Sequence, residues 1–236
     1  MLNKKPIFIV GLSRGGSSIV LHILRSHPDV CSPRGETNQV FYGKPDEPFL
    51  TRLSKILRYV PIMLRQREHV FSPHSCEERR PLSARSMTLI DRILFEDKFL
   101  ATDDTQNRFR AEGVENSVEK IREARILCKS IDGMAFTTPL FASMYPDATF
   151  FGLVRNGLAV CEGHIRRGRT ASEYGKLYAH VCDRIIADAD RLPNFHLIRY
   201  EDLTRNTLDT VRRIYELADL DGVCVKKFRL HVGNEG

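Results

Sequence analysis

Eight residues near the amino end, Gly11-Leu12-Ser13-Arg14-Gly15-Gly16-Ser17-Ser18, constrain this chain more than any other segment. A short apolar run, Ile7 to Val10, precedes them. An apolar stretch from Ile19 follows and suits a helix reaching about Ser26, where Pro28 stops it. A buried strand that turns through glycines straight into a helix makes an anion cradle. Backbone N–H groups and the positive end of the helix dipole point into one concavity. The spacing is that of the nucleoside-triphosphate loop G-x-x-x-x-G-K-[ST], with Ser17 where that motif carries its lysine. The missing lysine argues against ATP or GTP hydrolysis and leaves Arg14 as the local cation.

The rest of the chain alternates strands and helices. Val30 to Ser32, Ala124 to Lys129, Thr149 to Val154 and Phe195 to Tyr200 read as strands. Residues 49–67, 87–100, 135–144, 171–191 and 206–219 read as helices, with Pro61 expected to break or kink the first. Residues 33–48 read as loop and 72–86 as an exposed connection. Such alternation argues for an α/β chain with a central parallel sheet flanked by helices in three layers. Sheets of this kind bind ligands at the carboxyl ends of their strands, which points to Gly11, Lys129 and Arg155.

Composition excludes several classes. Of 236 residues, 42% are hydrophobic and 28% charged, a globular balance, and no apolar run approaches the ~18 residues of a membrane span. Only four apolar residues separate Pro6 from Gly11, too few for a signal-peptide core, so a cytoplasmic location is expected. The net charge of +6 is scattered and Trp is absent, which argues against a nucleic-acid partner and mildly for an anionic ligand. The six cysteines show no CxxC spacing, so free thiols and no metal site are expected.

Two further segments carry chemistry. Leu153-Val154-Arg155-Asn156-Gly157 places an arginine at a strand end, where its fork can grip a phosphate. Arg199-Tyr200-Glu201-Asp202-Leu203 places carboxylates at another. Together with the opening IFIVGLSRGGSSIVLHILRSHPDV and the segment YPDATFFGLVRNG, these resemble the sulfotransferase family, in order and across nearly the whole chain. That family moves a sulfuryl group from 3′-phosphoadenosine 5′-phosphosulfate (PAPS) to an acceptor and releases PAP. The branch most similar includes tyrosylprotein and many bacterial sulfotransferases. It carries a Gly-Glu-Thr or Glu-Glu-Thr after the first helix, here Gly35-Glu36-Thr37 after His27-Pro28-Asp29.

The resemblance implies a P-loop-like fold in one domain over 1–236, with a mainly helical acceptor-side insertion at about 38–122. It implies Glu36 as catalytic base, in keeping with the need to deprotonate an attacking hydroxyl. It implies Lys129 as the cation on the bridging oxygen, where charge develops. Arg14 and the N–H groups of Gly15, Gly16, Ser17 and Ser18 would hold the 5′-phosphosulfate, and Arg155 the 3′-phosphate. No metal is called for, and the acceptor would be a small molecule, carbohydrate or peptide.

The chain departs from the family in two places. Gly163 stands where a serine usually gives a second 3′-phosphate ligand, with Arg166 and Arg167 at hand to compensate. The late basic loop that closes the nucleotide is reduced to Lys226, Lys227 and Arg229. These departures keep a non-catalytic PAP-binding relative open as an alternative, with a P-loop small-molecule kinase as a second. His22 and His27 read as structural, and His164 as a surface residue. Arg52, Lys55, Arg58, Arg65, Arg67, Arg79 and Arg80 hint at an acidic acceptor, and oligomeric state is not legible.

Overall fold

The computed structural model describes residues 5–33, 35–66, 82–100 and 117–221. Cys76, Cys224, Arg67, Arg79, Arg80, Lys226, Lys227, Arg229 and most of the connection anticipated at 72–86 lie outside them. The element order is β1 (Ile7–Gly11), α1 (Ser17–Arg25), β2 (Val30–Cys31), α2 (Thr37–Tyr42), α3 (Phe49–Gln66), α4 (Ala84–Leu100), α5 (Val118–Glu123), β3 (Arg125–Ile131), a 3₁₀ segment (Asp132–Thr137), α6 (Thr138–Met144), β4 (Thr149–Val154), α7 (Gly157–Ile165), α8 (Ala171–Arg191), β5 (Phe195–Arg199), α9 (Tyr200–Arg205) and α10 (Thr207–Leu217).

The five strands form one sheet in the order β2-β3-β1-β4-β5, and every pair is parallel. A parallel sheet covered on both faces needs apolar side chains pointing both ways. β1 shows this: Phe8 and Val10 enter one core cluster, Ile7 and Ile9 the other. The first cluster is closed by Val40 and Phe41 of α2, Tyr59 and Ile62 of α3, Ile90 and Leu94 of α4, and Tyr174 and Val181 of α8. The second is closed by Val20, Ile23 and Leu24 of α1 and by Val211 and Ile214 of α10. Helices, sheet and helices thus make three layers. The glycine turn between β1 and α1 opens at the centre of the sheet's carboxyl edge.

Two local expectations are corrected, and of the break or kink expected at Pro61 the break is absent. The loop anticipated over 33–48 contains α2, which starts at Glu36; the Glu36 N–H donates to the Gln39 side chain at 3.0 Å and helps satisfy that helix start. α3 runs through Pro61 without a break. An internal proline costs about 3 kcal/mol, but Tyr59 and Ile62 on either side of it are fully buried and contribute ~1.5–3 kcal/mol each. The helix anticipated over 135–144 is a 3₁₀ turn followed by α6, whose start is set by Pro139. α7, directly after Arg155, is an element the sequence pattern had not suggested. Its start is capped by Asn156, whose Oδ1 accepts from the N–H of Leu158 and of Ala159 at 2.9 and 3.4 Å.

Among the described residues no helix is long and apolar enough to cross a membrane. Cys31, Cys128, Cys161 and Cys182 are free thiols.

Candidate functional site

The carboxyl ends of β1, β3 and β4 meet at a cleft of about 350 Å³. Four cations from four segments line it: Arg14 after β1, Lys129 on β3, Arg155 after β4 and Arg167 after α7. Glu36 is the one carboxylate in the lining among the described residues, and Ser17 and Ser18 present the start of α1. Among the described residues no side chain caps α1, so its first N–H groups and the positive end of its dipole are open to an anion. Such charge and such a helix end suit an anion carrying several negative charges.

The loop geometry is specific. Arg14 and Gly16 both have positive φ, 64° and 95°. The Gly15 N–H donates to Leu12 O at 3.0 Å, so Gly15 shapes the turn instead of facing the cleft. Arg155 reaches back across the site: its Nη1 donates to Arg14 O at 2.8 Å, and its guanidinium lies 4.1 Å from the Tyr200 ring centre. Tyr200 in turn packs on Gly16, where an added Cβ would come within 2.4 Å of the ring. Glu201 accepts the Asn156 N–H at 2.9 Å, and this bond holds its carboxyl below the usual carboxylate range.

Lys129 and Glu36 form an ion pair at 3.4 Å, and Lys129 also donates to the Ser18 hydroxyl at 3.3 Å. Thr37 anchors the Glu36 segment to β3 through Ser130 Oγ at 2.9 Å. Glu36, Lys129, Arg14, Gly16, Ser17, Ser18, Arg155 and Arg167 therefore converge on one cleft. Arg166 does not join them; it is turned to solvent in a pair with Glu162. Gly163 lies behind the loop, where an added Cβ would meet Arg14 Cγ at 3.3 Å.

His164 corrects its surface reading. It is buried, stacks on Tyr174 with ring centres 3.6 Å apart, and lies 3.0 Å from Ser13 Oγ. Ser13, Asp132, Tyr174 and Tyr200 are participants that sequence reasoning missed. A Ser before the loop arginine and an Asp after β3 were the available signals, but nothing local pairs them. His27 is structural as expected: its Nδ1 accepts from the Asp29 N–H at 3.1 Å, which leaves Nε2–H to donate to Asp221 O at 3.2 Å. Of the basic residues between 52 and 65, Lys55 is spent on Glu47 and Arg58 on Glu96.

A larger cavity of about 610 Å³ opens at the opposite, amino end of the sheet. Asp29, Asp147, Asp219 and Asp221 outnumber Lys5 and Arg125 in its lining, the wrong sign for an anion. Arg125 is already committed there to Lys5 O, Ala218 O and Thr149.

A sequence model of the sulfotransferase family matches residues 6–223. The chain belongs to that family. Solved sulfotransferase structures share its fold. The sulfotransferase domain of the olefin synthase from Synechococcus PCC 7002 superposes with a TM-score of 0.54 at 16% identity, over 94% of this chain and 76% of that one. A sulfotransferase domain from the curacin biosynthetic pathway gives 0.52 at 17% identity, over 95% and 77%. No curated protein sequence matches. The fold expected from sequence, a parallel sheet in three layers, is thus the fold of this sulfotransferase-family chain and of its structural neighbours.

Proposed function

We propose that the chain transfers a sulfuryl group from PAPS to a hydroxyl or amine of an acceptor and releases PAP. The observation that carries this reading is the convergence of Arg14, Lys129, Arg155 and one carboxylate, Glu36, on the start of α1. When bound, the donor supplies the sulfuryl group and departs as PAP. Arg14, with the N–H groups of Gly16, Ser17 and Ser18, holds the 5′ end. Arg155, braced on Tyr200, grips the 3′-phosphate, the group that separates PAP from AMP. Glu36 takes the acceptor proton as the nucleophile attacks. Lys129, already within reach of Ser18 and Glu36, neutralises charge on the departing phosphate. Protein cations do this neutralising without a metal. The helices between β2 and β3 belong to an acceptor-side insertion, and the acceptor is a small molecule, carbohydrate or peptide. Location in the cytoplasm is part of the same reading.

One observation favours a second reading. Gly163 brings no hydroxyl to the 3′-phosphate, which suits a relative that binds PAP without turnover. Calorimetric titration with PAP, against AMP and ATP plus magnesium, tests both. Micromolar PAP with much weaker AMP, followed by transfer of labelled sulfuryl to an acceptor panel, supports the enzyme. Tight PAP with no transfer supports the binding protein. Equal PAP and AMP affinities overturn the donor assignment, and magnesium-dependent ATP binding points to a kinase.

A further inference from the structure

Ser13 directly precedes Arg14, and each of its polar atoms is engaged. Its N–H donates to Asp132 Oδ1 at 2.9 Å. Its hydroxyl lies 3.1 Å from the same oxygen and 3.0 Å from His164 Nε2. Its carbonyl accepts from the Tyr174 hydroxyl at 3.5 Å and lies 3.3 Å from His164 Nε2. The direction of the hydroxyl bonds follows from what each group can do. A carboxylate only accepts, so the Ser13 proton goes to Asp132. The Ser13 oxygen then accepts, so His164 Nε2 carries a hydrogen. The result is a one-way relay, His164 to Ser13 to Asp132, with the imidazole plane fixed by stacking on Tyr174. Burial pushes the Tyr174 hydroxyl up, and the Asp132 charge adds to this, so it stays a neutral donor.

We infer that His164 is a positioning residue for the donor site: through Ser13 and Asp132 it holds Arg14 in the conformation that receives an anion. This rests on the donor reading proposed above. The two residues the relay ties together, Arg14 and Asp132, are both non-glycine residues with positive φ, 64° and 53°. Backbone strain of that kind persists only where the surroundings over-determine it. Ser13, held at N–H, hydroxyl and carbonyl, is the link that does so. The neighbouring Gly163 touches the same residue: a Cβ added there would stand 3.3 Å from Arg14 Cγ. The histidine fixes the backbone before that side chain.

The test is a double-mutant cycle on the full chain, with PAP as calorimetric probe and turnover measured alongside. His164→Ala should weaken PAP about tenfold and raise KM for PAPS while leaving kcat within about threefold, the loss of one well-placed hydrogen bond. His164→Gln, whose amide nitrogen can take the place of Nε2, should recover most of this. Ser13→Ala should match His164→Ala, and the double variant should be no worse than the worse single. Unchanged affinity in His164→Ala, additive losses, or Gln no better than Ala would overturn the proposal. If His164→Ala does not fold, the Gln and Ser13 variants carry the comparison. If wild-type protein takes no PAP, the donor reading fails, and nitrogen NMR of the His164 imidazole decides the relay alone. A slowly exchanging Nε2–H that exchanges faster in Ser13→Ala upholds it, and an Nδ1–H tautomer sinks it.

Discussion

The Lys129 ammonium stands 3.4 Å from the Glu36 carboxylate, with the Ser18 hydroxyl 3.3 Å away from it. The proposed base and the proposed cation are therefore paired with each other. Their side chains are 30% and 12% exposed, so the pair is screened only in part. A phosphate placed at the start of α1 would compete with Glu36 for Lys129. On the donor reading proposed above, donor binding would draw Lys129 to the phosphate and free the carboxylate to take a proton.

Glu36→Gln should lower kcat by on the order of 10²- to 10⁴-fold, the usual worth of a general base. PAP affinity should hold or rise slightly, because the rival for Lys129 is gone. Lys129→Met should lower kcat by about 10²-fold or more and weaken PAP as well. Steady-state kinetics with calorimetry separates the two. An unchanged kcat in Glu36→Gln would remove Glu36 from the role of base.

Arg155→Ala should erase the preference for PAP over AMP, a loss of about tenfold to a hundredfold in PAP affinity with AMP little changed. Arg155→Lys should recover only part, since an ammonium keeps the charge but not the fork or the stacking on Tyr200. Parallel titrations with both nucleotides read this out.

Gly16→Ala should destabilise the protein by about 1–3 kcal/mol, from a φ of 95° that Ala resists and a Cβ 2.4 Å from the Tyr200 ring. Tyr200→Ala in the same chain should recover the clash but not the φ strain. Urea midpoints of the two variants and wild type make the comparison.

Gly163→Ser places a Cβ 3.3 Å from Arg14 Cγ, the middle of a flexible side chain that can shift by a few tenths of an ångström. The serine hydroxyl should then raise PAP affinity several-fold, by about one hydrogen bond. Weaker PAP binding would mean that Arg14 cannot give way, and that the glycine serves Arg14 alone.

The Glu201 carboxyl, lowered by the Asn156 N–H it accepts, binds fewer protons folded than unfolded. Its contribution to stability is therefore present above the ordinary carboxylate pKa and is lost as pH falls through the lowered folded value. Glu201→Gln should be less stable than wild type at neutral pH, and the gap should close in acid. Urea unfolding near pH 7 and near pH 3 checks it.

The parts of the molecule legible in sequence are those written in neighbouring residues. The turn from Gly11 to Ser18, the apolar strands and the arginine ending β4 each announce themselves within a dozen positions. α2 stayed hidden because prolines and glycines surround Thr37–Tyr42, and α3 passes Pro61 because its two halves are pinned in the core from elsewhere. The clamp on Ser13 could not be read at all. Its partners lie 119 and 151 positions away, and only the strand order that sets β3 and β4 on either side of β1 brings them together.

That strand order also dictates when the site can exist. Ile7 pairs with Leu127 on one side and Thr149 on the other, so the strand made first waits for partners made well over a hundred residues later. Pairing across so long a loop is slow, because the chain entropy is lost before the contacts form. During synthesis the apolar β1 and its glycine turn remain without a sheet until β3 and β4 have emerged. The anion cradle is thus among the last features to assemble, and an anion that binds it rewards only chains whose sheet is already closed.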